Sequence, residues 1–325
     1  MSPRARVSLV VALAACAAAG AAVGITLLQT RGEHRGSAAV GKPQRGHPPL
    51  VLDLGLRTDP EAVALRRANA LYDDGRRDAA ARVFERYGSL DARIGAAFAR
   101  WPDGTLDKMK ELVAAAPDNS AAQLHLGFAD YWSGRRADAA AAWRAAERVQ
   151  PDTPAAVKAS DLLHPGFPPG LPPFVPSVGP PPSLAKLPPA LEFAALARAA
   201  RGRDVRAKLL YGVVLQQLGR PLSAERQFAA AARLAPGDAE ARVAAAVGRF
   251  TKDHPERAFS RLGPLVRVFP HAATVRFHLG VMLLWLGNVR QARRELRLAH
   301  AEAPASPLGR EAKRFLTRLA SIRTK

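Results

Sequence analysis

The residues through which this 325-residue chain could do chemistry are eight histidines, one cysteine and 28 carboxylates. His271 and His278 stand seven apart, a two-turn spacing that puts two imidazoles on one helix face. A metal would need a third ligand, and none stands at a convincing spacing, so burial or solvation is the simpler reading of both. Gly41-Lys42 runs into proline rather than completing a phosphate loop, and no His-Glu-x-x-His occurs. Asp73-Asp74 and Asp103 fall near expected turns, where carboxylates cap or solvate. Cys16 sits in the N-terminal apolar run, so the rest of the chain has neither a disulfide nor a cysteine metal site. No catalytic residue, metal or cofactor is expected, and the reading is that of a protein that is not an enzyme.

The elements that position side chains are more legible. Hydrophobic residues make up 48% of the chain, dominated by alanine, and aromatics only 6%, which suits closely packed helices better than strands. From Val205 to Ser306 one pattern returns three times: Gly212, Gly219, Ala224, Phe228, Ala231, Pro236; then Ala246, Asp253, Ala258, Leu262, Leu265, Pro270; then Gly280, Gly287, Ala292, Leu296, Ala299, Pro304. The period is 34 residues, the signature of stacked helix pairs. Upstream, Gly127, Gly134, Ala139, Trp143, Ala146 and Pro151 repeat it, as do Ala68, Gly75, Ala80, Phe84 and Tyr87. Between them a degenerate copy carries Met109, Leu112 and Pro117, with Arg93 breaking the small-residue rule. Small residues let the first helix approach the second, a glycine in the left-handed conformation ends the first helix, and proline stops the second.

This pattern resembles the tetratricopeptide repeat family over about residues 61–306. The resemblance implies an all-α, right-handed solenoid of antiparallel helix pairs, about seven repeats, with a last helix from Ser306-Pro307 acting as a solvating cap. It also implies a groove lined by the first helices. Carried over residue by residue, the lining is Leu124, Phe128, Tyr131 and Trp132; Leu209, Val213, Gln216 and Gln217; Val243, Val247, Phe250 and Thr251; and Phe277, Val281, Leu284 and Trp285. The set is apolar and aromatic, without the lysines and asparagines by which some members clamp a carboxylate.

Residues 165–189 hold eleven prolines. Two arrangements remain open. In one, the stretch is inserted in the turn of a split repeat, with Thr153–Leu163 and Pro189–Arg201 as its helices. In the other, it links an N-terminal set of repeats (58–164) to a C-terminal set (190–306), followed by a cap (307–325). Either way, Phe167, Leu171, Phe174 and Val175 are candidate anchors for laying the segment along the solenoid's own groove, because polyproline docks cheaply on aromatic-lined surfaces.

At the N-terminus, residues 7–28 carry no ionisable side chain except Cys16, about 33 Å of helix, enough to cross a bilayer. Length favours a retained signal-anchor. A cleaved signal at the small residues near Ala17-Ala18-Ala19, giving a secreted protein, and a lipoprotein signal at Leu13-Ala14-Ala15-Cys16 are the alternatives. Arginines crowd both ends of the run, so orientation rests on the weak apolar centre, which favours an exported body. Residues 30–57 read as a flexible tether, with a short apolar piece from Leu50 that packs on a first helix opened by Thr58 or Asp59.

The functional expectation is a membrane-tethered scaffold whose groove takes a segment of another protein in the cell envelope. The +20 net charge supports a different class, electrostatic binding of anionic lipid or nucleic acid through the arginine-rich helices. Nucleic acid is disfavoured because no basic block is interleaved with stacking aromatics.

Overall fold

A computed structural model describes residues 43–321, which divide into two compact units at Leu163/His164. The described residues are helical with no strand. The first unit holds α1 (Pro60–Asp73), α2 (Arg77–Phe84), α3 (Leu90–Ala99), α4 (Thr105–Ala115), α5 (Ser120–Trp132), α6 (Arg136–Val149) and α7 (Pro154–Leu163). In the second are the short α8 (Pro182–Ala185), α9 (Pro189–Ala199), α10 (Val205–Gln217), α11 (Pro221–Leu234), α12 (Ala239–Val247), α13 (Glu256–Leu262), α14 (Leu265–Val268), α15 (Ala273–Trp285), α16 (Val289–Glu302) and α17 (Pro307–Ser321).

Short polar signals start these helices. The side chains of Asp59, Ser89, Asn119, Asp204 and Asp238 each accept the backbone N–H three residues on, satisfying a donor the helix cannot. Asp59 is thus the first cap, with Pro60 opening the helix. Gly75, Gly134, Gly219 and Gly287 end the first helices with φ between +67° and +85°, a conformation costly for a residue with a Cβ. Such tight turns pair α1 with α2, α5 with α6, α10 with α11 and α15 with α16. Gly263-Pro264 breaks the second helix of the middle pair into α13 and α14, since proline cannot donate there.

Within a pair, the glycine of the first helix is the seat of a large side chain on the second. A Cβ on Gly280 would stand 2.8 Å from Leu296 Cγ; one on Gly127 would overlap the Trp143 ring, and one on Gly212 the Phe228 ring. Phe228 also meets Gly248 of the next pair, so one ring fills both the cleft within a pair and the joint between pairs. Between pairs, first helix packs on first helix: α1 on α3 and α3 on α5, then α10 on α12, α12 on α15 and α15 on α17. Each unit thereby builds one continuous first-helix face and one hydrophobic core of its own.

The two helices expected of a split repeat fall in different compact units. α7 packs on α5 and α6 and closes the first unit, while α9 packs on α10 in the second. Each unit is three helix pairs and a closing helix, with α8 and α9 added ahead of the second set, rather than a share of seven repeats. No described helix is long and apolar enough to cross a membrane; the expected span at residues 7–28, the readings of Cys16 and residues 322–325 of the expected cap lie outside the described residues.

Gly212→Ala should destabilise the second unit by about 1–3 kcal/mol, because the methyl forces Phe228 out of its rotamer. Urea unfolding followed by helical circular dichroism measures this, and Phe228→Leu in the same chain should recover part of the loss.

Candidate functional site

In the second unit the proline-rich stretch is not loose. Residues 165–181 lie as an extended strap on the first-helix face. Pro172 and Phe174 are buried while Pro173 and Val175 are half-exposed, the alternation of an extended chain with one side inward. The Phe174 ring is 1% exposed. It stacks on His278 of α15 with centroids 5.1 Å apart and meets Phe228 edge-on at 5.2 Å. Phe167 meets Phe250 edge-on at 6.2 Å, and Phe250 meets Trp285 at 5.7 Å. Leu171 and Val175 pack against the same core.

Polar links hold the strap's backbone. Phe174 N–H donates to Gln216 Oε1 (3.1 Å), Val175 N–H to His278 Nε2 (2.9 Å), and Ser177 N–H to Glu240, whose other oxygen takes the Ser177 hydroxyl at 2.7 Å. Upstream, His164 Nε2 meets Asp253 at 2.9 Å; downstream, Arg206 donates to the Gly179 carbonyl at 2.8 Å. Prolines bring no N–H to bury, so the donors that are buried are few and each has an acceptor.

The first unit is strapped too, by residues expected to end a flexible tether. Leu50 and Leu54 are each only 6% exposed. Gln44 N–H donates to the Trp132 carbonyl (2.9 Å) and Val51 N–H to His125 Nε2 (3.1 Å). The Tyr72 hydroxyl donates to the Pro48 carbonyl, and the Asp53 N–H to Asp91. The apolar piece from Leu50 packs on the first-unit core as expected, through Leu50 and Leu54, and the strap extends upstream of it to the buried Pro48; the apolar burial offsets the entropy of ordering the segment.

The two histidines share one state. His125 Nδ1 lies 2.6 Å from the Ala121 carbonyl and His278 Nδ1 2.7 Å from the Thr274 carbonyl. A carbonyl only accepts, so Nδ1 carries the proton and Nε2 presents a lone pair to the strap. Burial lowers both pKa values to about 4 against the opposing pull of those carbonyls. Phe98 and Phe128 flank one ring, and Phe277 and Phe174 the other. The surroundings thus disfavour the imidazolium, which would turn the acceptor into a donor facing another donor.

Of the expected lining, Leu124, Phe128, Leu209, Val243, Val247, Phe250, Phe277, Val281, Leu284 and Trp285 are buried. Tyr131, Trp132, Val213 and Gln216 are half-exposed, whereas Gln217 and Thr251 face solvent. Gln216, not Gln217, reaches the strap. Tyr131 tilts against Trp143 at 5.7 Å, within its own pair. His278, read from sequence as merely buried or solvated, is the central polar contact, whereas His271 is exposed beside Glu302. His125, Asp91, Glu240 and Pro48 had no place in that reading, in which, of the residues before the first helix, only the apolar piece from Leu50 was expected to pack. The available signal was the phrase Pro-Pro-apolar-Val, which occurs at 48–51 and again at 172–175.

Among the described residues no group of three histidine, cysteine or carboxylate side chains could hold a metal. A polar cavity of about 180 Å³ lies where the first strap ends, lined by Asp53, Asp91, Asn119 and Gln150 among others; small-molecule sites usually measure about 300–1,000 Å³.

No protein-family profile matches the chain, and no curated protein does. Solved structures of similar outline include the APC/C hetero-tetramer Cut9-Hcn1, at 15% identity and TM-score 0.27, covering 80% of this chain and 55% of that one. Another is yeast Tom70, at 12% identity and TM-score 0.31, covering 88% and 67%. The chain thus spans little more than half of the first. At such scores neither carries an argument, and the fold stands on the helix pairs themselves.

Because burial lowers both histidine pKa values from 6.5 to about 4, the unfolded chain binds more protons between those values. Stability is full above about pH 6.5 and falls as pH drops towards 4, by about 3 kcal/mol for each histidine. Urea midpoints measured from pH 7 to 4 should show the decline. The double variant His125→Gln/His278→Gln, which keeps an acceptor but does not titrate, should flatten it.

Proposed function

We propose that this chain is a protein-binding scaffold, not an enzyme, whose second unit takes an extended, proline-containing segment of another protein on its first-helix face. The observation that carries this reading is the strap at 165–181: the chain itself shows what the face accepts. An aromatic side chain enters between Phe228 and His278, and the backbone is held by Gln216, His278 and Glu240. Polyproline stretches suit such a face because they are extended before they bind and lose little entropy. We propose further that residues 7–28 tether the scaffold to a membrane with the two units outside the cytoplasm, where its partner would be another envelope protein.

The resident strap competes with any partner at an effective concentration of order millimolar, as covalently joined ligands do. Phe174→Ala should loosen the strap and uncover the face. A fluorescent peptide of residues 168–179 should then bind the full-length variant at least tenfold more tightly than the unsubstituted chain, read by anisotropy with circular dichroism as the folding control. Equal binding to both chains, or none to either, overturns the reading.

A further inference from the structure

The two straps occupy their faces in one register. Pro48-Pro49-Leu50-Val51 and Pro172-Pro173-Phe174-Val175 share a sequence pattern and a burial pattern, in each case buried, half-exposed, buried, half-exposed. The valine N–H of each donates to the histidine at the sixth position of a first helix, His125 in α5 and His278 in α15. The N–H two residues further on donates to a carboxylate at the second position of the preceding first helix, Asp91 in α3 and Glu240 in α12. The side chain three residues before a turn glycine also reaches each strap, but at a different atom: the Tyr72 hydroxyl, before Gly75, donates to the Pro48 carbonyl, whereas Gln216 Oε1, before Gly219, accepts from the Phe174 N–H. Both histidines make the same Nδ1 contact with the carbonyl four residues back.

Packing alone does not require this agreement. Apolar burial fixes which side chains point inward, but it does not demand that a histidine and a carboxylate on two successive first helices meet the same two strap positions. Between the units the inward residue changes from leucine to phenylalanine and the third polar group from tyrosine to glutamine. The valine, the histidine and a carboxylate stay.

We propose that the first unit carries a second copy of the binding site, and that both copies read one ligand class: an extended segment of sequence Pro-Pro-Φ-Val, where Φ is a large apolar residue. The N–H groups of the valine and of the residue two further on must be free to donate. The partner is a protein bearing that phrase, and the straps are its resident competitors. Each part of the phrase has its reason. The prolines supply an extended backbone without buried donors; Φ fills the space beside the histidine; the valine N–H meets the Nε2 lone pair of the neutral, Nδ1-protonated imidazole. This inference rests on the scaffold reading and adds the first-unit site and the shared specificity.

The test uses full-length chains and the peptide of residues 168–179, so that a second-unit strap is offered to the first-unit face. In Leu50→Ala only the first strap is weakened. It should bind one equivalent, at least tenfold more tightly than the unsubstituted chain, and Leu50→Ala/Phe174→Ala should bind two, as read by titration calorimetry. Adding His125→Leu to Leu50→Ala should cost at least tenfold, whereas His125→Gln, which retains an acceptor, should largely preserve binding. Circular dichroism checks folding of each variant, and hydrogen exchange at the Val51 amide should be slowed by the peptide when it occupies the first face. If Phe174→Ala binds the peptide and Leu50→Ala does not, the second site is refuted while the scaffold reading stands. If neither binds, both fall. Binding to Leu50→Ala that ignores His125→Leu refutes the histidine as reader.

Discussion

Everything in each unit follows from a surface that water cannot be allowed to wet. Stacking first helix on first helix produces a face of leucine, valine, phenylalanine and tryptophan, because the same helices must be apolar towards their second helices as well. α15 illustrates it, with Val275, Phe277, Val281, Met282, Leu284 and Trp285 all buried. Left bare, such a face is an aggregation liability or a binding site. The chain covers it with its own extended segments, so the face, the strap and the binding property are one physical solution.

Covering an apolar face with backbone creates a second demand. Every buried N–H of the strap must find an acceptor, since an orphaned amide costs about as much as the burial of a small side chain gains. Prolines remove most of the donors. The remaining ones are met by side chains that project from the first helices: glutamine, carboxylate and imidazole. Imidazole answers this demand in a specific way. Its Nδ1–H is satisfied by its own helix, which leaves a single, directional acceptor and no charge to desolvate.

The carboxylates make a different use of the fold. Asp91 and Glu240 sit in the first turns of α3 and α12, where unpaired helix N–H groups favour negative charge. Burial nevertheless raises the pKa of Asp91, with the neighbouring Asp53 adding to it. The strap N–H pulls the other way and thereby stabilises the ionised form. Helix terminus and strap support each other.

The 34-residue spacing, the turn glycines and the capping residues were enough to place the helix pairs, because these are local requirements: a left-handed turn needs Gly219 and a helix start needs Asp204 wherever they occur. The anchors Phe167, Leu171, Phe174 and Val175 could be named from composition, since an aromatic in a proline run has few places to go. What the sequence could not disclose was which helix each would meet. The partners of Val51 and Val175 lie 74 and 103 residues away, and the tautomer that makes His125 and His278 acceptors depends on a backbone carbonyl that only the folded helix aligns. Composition could set the apolar piece from Leu50 apart from the tether, but not the polar contacts upstream of it, because the partners of Gln44 and Pro48 exist only on the folded face. By itself, then, the sequence determined the repeat, its caps and turns, through rules that act within a few residues. The tertiary structure decided that there are two units rather than one, and that each is closed by its own strap on a neutral histidine, because burial and long-range donor–acceptor pairing exist only once the chain has folded.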